Sequence, residues 1–265
     1  MDRSKALWIV PSAAIAAICL LASFSGRSTE AAVPGQDDPS ARAALEDVLG
    51  ASGFSMDWDR GVLGFPVEVL VRDELLEYVL VSENGQVHES LLVSDVPASL
   101  VNAGILALGV ERGQNARLLE TTDGYDVVPP SGDGCYFYVA WQEGDEAFLY
   151  RLEDLIANLE TGRAMQRHRW VFLGSRFVED KGEEVFAADF TGNLMSLSYF
   201  YEGDTLFTGA LEACESQTAW LANSWLLPPS RERVLFLCSK EKLSGLPERF
   251  LGELPLVSRR ESQRR

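Results

Sequence analysis

Apolar and polar residues alternate most regularly between residues 67 and 94, and just beyond that stretch the period lengthens. Residues 75–82 and 86–94 are rich in Val, Leu and Tyr and flank Asn84-Gly85, a pair suited to a tight hairpin turn. The pattern predicts an antiparallel hairpin. Alternation along it places Leu76, Tyr78, Leu80, Val87, Glu89, Leu91 and Val93 on one face. Residues 67–71 are expected to join through a tight turn at Asp73-Glu74, adding Val67, Val69 and Val71 to that buried face. Leu100, Val101, Gly104, Ile105 and Leu108 then recur at helical spacing. Ser94 or Asp95 can cap this helix, Pro97 suits its first turn and Gly109 its end.

Further elements follow from the same reading. A short helix is expected over residues 41–50 behind Ser40, and a strand over 135–141 (CYFYVAW). Leu152, Leu155, Ile156 and Leu159 fall at helical spacing, with Glu153 and Asp154 in the first turn. Strands are expected at 170–178, 184–190, 195–201 and 233–238. Gly174-Ser175 marks a bulge in the first of these. Residues 203–230 read as irregular, with Trp220 and Trp225 packed beneath, and Ser131 to Gly134 as a turn. Together these elements predict an α+β fold: a mixed or antiparallel sheet of about six to eight strands, with helices on one face, in a ferredoxin-like arrangement with insertions.

Three side chains emerge as candidate functional residues: His88, Glu89 and Asp189. On a strand His88 and Glu89 point to opposite faces, so without a bulge they cannot act on one atom together. Glu89 is the single ionisable group on its apolar face. Burial there would raise its pKa, the mark of a functional carboxylate, unless the sheet margin or backbone donors satisfy it. Asp189 closes a predicted strand, where it could face His88 or Glu89 across a cleft or cap the turn at Thr191-Gly192.

The first 25 residues change the picture of where the domain works. Arg3 and Lys5 precede an uncharged apolar run of about 18 residues, with small residues at Ser23 and Ser25. This reads as a signal peptide, or as an uncleaved anchor near residues 7–24. Cys19 lacks the residues of a lipoprotein attachment site. Residues 26–44 form a linker, 45–245 the domain and 246–265 a polar, basic tail. The net charge of −17 argues against nucleic-acid binding, which needs clustered Lys and Arg.

Residues 75–110 (LLEYVLVSENGQVHESLLVSDVPASLVNAGILALGV) resemble the YdjY-type domain, whose strand pair is followed by a helix ending in Leu-Gly. The later WVFLGSRF, AADFTGNLMSLS and LLPPSRERVLFL runs resemble its second half. The likeness extends over roughly residues 55–240 and implies a domain rather than a chemistry. Some members carry a ferredoxin-like or iron–sulfur label. Beyond the expected leader, the three cysteines Cys135, Cys214 and Cys238 include no Cys-x-x-Cys pair, and a four-thiolate cluster needs one more ligand. They could supply one disulfide, of a pairing the sequence leaves open, and one remaining thiol.

No cofactor is expected. His88 and His168 are the two histidines, and neither lies in a metal-binding spacing. His88-Glu89-Ser90 cannot form a hydrolytic triad on a strand, and no Gly-x-Ser-x-Gly elbow is present. The expectation is an exported envelope protein, periplasmic or secreted, that is a non-enzymatic binding domain for an envelope protein or small ligand. The alternative is a metal-binding protein or hydrolase using His88, Glu89 and Asp189.

Overall fold

The computed structural model describes residues 39–70 and 72–258. The expected leader, most of the expected linker, Val71 and the basic end of the expected tail lie outside the described residues, so the reading of residues 1–25 is untouched. Helix α1 (Pro39–Ala51) leads into β1 (Ser55–Asp57) and β2 (Val62–Val69). Then come β3 (Tyr78–Val81), β4 (Ser90–Val93) and α2 (Ala98–Ala107). An exposed ribbon, β5 (Arg117–Thr121) and β6 (Gly124–Val128), precedes the long pair β7 (Gly134–Glu143) and β8 (Glu146–Arg151). The second half contributes β9 (Ile156–Asn158), β10 (Arg163–Ala164), β11 (Trp170–Phe172), β12 (Phe177–Asp180) and β13 (Glu183–Phe186). Last come α3 (Ala187–Thr191), β14 (Asn193–Ser196), β15 (Phe207–Thr208), β16 (Trp220–Ala222) and β17 (Arg233–Ser239).

The architecture corrects the α+β, ferredoxin-like expectation. Strands pair in the order β2-β17-β7-β11-β15-β14-β3-β4, and β4 pairs back onto β2, closing an eight-stranded barrel. The molecule is mostly β; no helical layer covers an open sheet. Closure removes sheet edges, which is why eight short strands suffice. Two seams are parallel, β3 with β4 and β14 with β15. The predicted hairpin about Asn84-Gly85 is therefore not formed. Gly85 does donate its N–H to the Ser82 carbonyl at 2.9 Å. The chain then makes a 3-10 turn over Val87–Glu89, so β4 enters parallel to β3, with Tyr78 opposite Ser90 and Leu80 opposite Leu92. The strand at 67–71 ends at Val69 and pairs with β4 and β17, not β3.

Inward residues of alternate strand positions fill the barrel. Phe65, Phe137, Phe172, Phe207 and Phe236 form a chain of ring contacts with centroids 4.8–5.5 Å apart. Val101 of α2 reaches the same interior, where the remaining void is apolar and only about 10 Å³, room for no more than one water. The barrel is a packed core, not a ligand chamber. On the outside of β2, β7 and β17, Val62, Tyr138, Ala140, Leu235 and Leu237 pack under Phe250 from the turn Glu248–Glu253. These strands are buried on both faces, so they read as continuous apolar runs. Residues 246–258, assigned to the tail from sequence, include the buried Phe250 and Val257.

Several local readings change with the tertiary contacts. Residues 152–159 do not make a helix: a 3-10 turn (Leu152–Leu155) runs straight into β9. The strand expected at 170–178 breaks at Gly174 and Ser175, which both adopt positive φ. Residues 184–190 split into β13 and the short helix α3. Trp220 is buried on β16, whereas Trp225 is 83% exposed. Helix α2 forms as expected, ending at Gly109 with φ of 73°.

Candidate functional site

The 82–93 segment that carries His88 and Glu89 is held by backbone packing rather than by a hairpin. A Cβ on Gly85 would lie 2.4 Å from the Gly192 carbonyl oxygen, and one on Gly192 would lie 2.5 Å from the Gly85 nitrogen. The two turns meet back to back at these glycines. Asn84 Nδ2 donates to the carbonyls of Asp189 and Phe190 at 3.3 and 3.2 Å, and Asn193 Oδ1 accepts the Gln86 N–H at 3.1 Å. Asn84-Gly85 is thus a docking point between two halves of the barrel.

This packing sets the three predicted residues in different roles. His88 is 72% exposed and its Nε2 lies 3.8 Å from Glu89 Oε2. They sit in one 3-10 turn, on the same side of the chain, so the opposite-face argument does not apply. Glu89 is 27% exposed, so the premise of full burial on an apolar face fails. Glu77 lies close by: burial raises its carboxyl above the ordinary range, the Glu89 charge adds to this and His88 opposes it. Asp189, on α3, accepts the backbone N–H of Ser99 at 3.1 Å and so caps the start of α2. The structure joins His88 to Glu89 and commits Asp189 to a helix terminus.

A denser polar cluster arises where the sequence predicted a helix. Glu153, in the 3-10 turn after β8, is fully buried. Arg151 grips it with two parallel hydrogen bonds, Nε to Oε2 at 3.0 Å and Nη2 to Oε1 at 2.6 Å. The backbone N–H of His168 and the indole Nε1 of Trp170 each donate to Oε1 at 3.2 Å. Arg151 also donates to the His168 carbonyl at 2.8 Å and lies 5.1 and 5.4 Å from the ring centres of Tyr136 and Tyr138. Arg169 and Lys242 approach the Tyr136 ring as well, at 6.0 and 5.6 Å. Four donors on one carboxylate bind β8 to β11 and leave the charge well compensated. The signal in the sequence was a charged pair, Arg151 and Glu153, set inside the apolar run FLYRLEDLIANL.

His168 gives this cluster a pH dependence. Its ring packs on Trp170 at 4.7 Å, and its Nε2 is buried without a hydrogen-bond partner. Burial pushes its pKa below the ordinary histidine value, opposed by Glu153 and by the Gln166 carbonyl. The unfolded chain therefore binds this proton more readily than the folded one. The stability that His168 contributes is fully present above its unfolded pKa of about 6.5 and is lost as pH falls through the lower folded value. Melting curves from pH 7.5 to 5 are expected to show a smaller loss for His168→Gln than for the parent. Parallel curves overturn the assignment.

The third feature is the β5–β6 ribbon. It is a two-stranded sheet of its own, joined to the body near the bridge between Gln114 and Ser131. Leu118, Leu119 and Tyr125 are all exposed on it. The register pairs Leu118 with Val127 and Glu120 with Tyr125, so Leu118 and Tyr125 share one face and Leu119 lies on the other. Both ribbon edges lack a strand partner among the described residues. Among those residues no three His, Cys, Asp or Glu side chains gather as a metal site.

Against known proteins, the model of the YdjY domain family matches residues 56–236. No curated protein and no solved structure matches the chain.

Proposed function

We propose, from the premise that this chain belongs to the YdjY domain family, that it is an exported envelope domain that works by binding a protein partner through its β5–β6 ribbon. The observation that carries this reading is the ribbon's apolar exposure on both faces. A two-stranded ribbon is marginal by itself, and unpaired edges flanked by exposed Leu and Tyr invite strand addition. The filled barrel interior supports the same reading, because it directs binding to the outer surface. The basic, then apolar, N-terminal run supports export.

The rival reading, a metal-binding protein or hydrolase built on His88, Glu89 and Asp189, has less support. Asp189 sits at the start of α2 on the Ser99 N–H, and no contact among the described residues joins its carboxylate to His88 or Glu89. The test of the proposal is site-specific photocrosslinking in cells of the native host. A crosslinker at Leu119 is expected to give a discrete adduct that one at Asp145, in the exposed β7–β8 turn, does not. Leu118→Glu is expected to abolish that adduct while leaving the melting temperature unchanged. No adduct at Leu119, or the same bands from both positions, overturns the reading.

A further inference from the structure

The outer wall of the barrel gathers three cations on one aromatic ring, in a chain whose acidic residues outnumber its basic ones by 40 to 23. Tyr136 lies two residues along β7 from Tyr138 and shares its outward side. Arg151, Arg169 and Lys242 stand 5.1, 6.0 and 5.6 Å from the Tyr136 ring centre. They come from β8, from the residue before β11 and from the loop after β17, so the fold assembles the cluster and no local motif does. The loop is fixed to the wall beside the ring. The Tyr138 hydroxyl accepts the Leu243 N–H at 2.8 Å, and the Ser239 hydroxyl donates to the Glu241 carbonyl at 2.7 Å.

The carboxylates around the ring do not use up these donors. Glu153 takes Nε and Nη2 of Arg151, and neither bond uses Nη1. Asp133 Oδ1 lies 3.2 Å from Arg169 Nη1, while Arg169 Nε is buried without a hydrogen-bond partner. Among the described residues no carboxylate comes within ion-pair distance of the exposed Lys242 ammonium. Two carboxylates thus face three cations. We propose that Arg151, Arg169 and Lys242, gathered on Tyr136, form a binding site for a phosphoryl group. A phosphoryl group brings up to two negative charges and three acceptor oxygens, one for each cation. Arg151 is only 10% exposed and is locked by Glu153, so its charge is presented with little loss of side-chain freedom on binding. The inference goes beyond the ribbon's binding role and does not depend on it.

Titration calorimetry on the full chain tests the site, with inorganic phosphate exchanged for chloride at constant ionic strength. The expected result is one saturable site with a Kd on the order of 1 mM. Lys242→Gln and Arg169→Gln are each expected to weaken it about ten-fold, the share of one charge-assisted hydrogen bond. Lys181→Gln, which removes an exposed cation in the β12–β13 turn, is expected to leave it unchanged. Arg151 is left in place, because its loss would strand the buried Glu153. Melting temperatures without phosphate, expected to match the parent, show that the variants keep the fold. Sedimentation with phosphatidylglycerol vesicles then separates the two sources of the group. Vesicle binding that Lys242→Gln abolishes identifies a lipid headgroup, and phosphate binding without vesicle binding identifies a soluble phosphorylated molecule. Either result supports the site. No saturable phosphate binding up to about 20 mM, far above the expected Kd, overturns the proposal. So does an affinity in the double variant Arg169→Gln with Lys242→Gln equal to that of the parent.

Discussion

Glu153→Ala is expected to destabilise the protein by about 3–5 kcal/mol, the cost of removing one partner from a buried ion pair. The carboxylate is fully buried and is the common acceptor for Arg151, the His168 N–H and the Trp170 indole. Its loss strands a guanidinium that is only 10% exposed, together with two neutral donors. In a domain of this size each kcal/mol moves the melting temperature by about 2–4 °C, so the midpoint should fall by roughly 6–20 °C. Glu153→Gln keeps the shape and loses the charge, and should fall between the two. The double variant Arg151→Met with Glu153→Leu separates the contributions. It removes the pair together but leaves the His168 and Trp170 donors unpaired, each at about 1–3 kcal/mol. It should therefore be more stable than Glu153→Ala and less stable than the parent. Thermal melts that place Glu153→Ala within 1 kcal/mol of the parent would show that water takes the carboxylate's place without loss.

What the sequence made legible here, and what it hid, divides along a physical line. Elements whose signals are local were readable: α2 with its Gly109 terminus, the strand around residues 135–141 and the strand over 233–238. The expected strands over 135–141 and 233–238 contain Phe137 and Phe236 but did not make them neighbours, because a local apolar run does not fix a partner. Barrel closure depends on β4 meeting β2 and β11 meeting β7, contacts with no local signature. The runs that line both faces, Val62–Phe65 and Val234–Cys238, hid their alternation because Phe250 covers the outside.

Asn84-Gly85 shows how a strong motif can mislead. The pair suits a hairpin because both residues tolerate positive φ, yet Gly85 is not among the positive-φ glycines of this chain. What position 85 requires is the absence of a Cβ, so that Gly192 can approach. His88 and Glu89 inherited the error: their faces were assigned on a strand, and they occupy a 3-10 turn. The Glu153 cluster was hidden for the opposite reason. Helical spacing of Leu152, Leu155 and Ile156 is equally served by a 3-10 turn leading into a strand, and two of the three residues that donate to Glu153, His168 and Trp170, lie beyond residue 165.

The seam between β7 and β11 is one of the barrel's short seams, and Gly134→Ala is expected to break it. Two residue pairs hold this seam, Trp170 with Cys135 and Val171 with Gly134, together with the hydrogen bond from the Phe172 N–H to the Asp133 carbonyl at 3.0 Å. A Cβ at position 134 would sit 1.8 Å from the Trp170 carbonyl oxygen and 2.8 Å from its carbon. Both are backbone atoms, so no rotamer change relieves the clash and the strands must part. Trp170 cannot retreat freely either, since its indole is tied to Glu153 and its ring is buried. The cost should reach about 3 kcal/mol or more, at the upper end of overpacking. Gly50→Ala is the control, a helical glycine with nothing within 4 Å of its added methyl group. That change should be neutral or stabilising by up to about 1 kcal/mol. A Gly134→Ala melt within a few degrees of the parent would mean that β7 and β11 do not close the barrel at Gly134. Glu153 would then be left to hold β11 without a backbone seam beneath it.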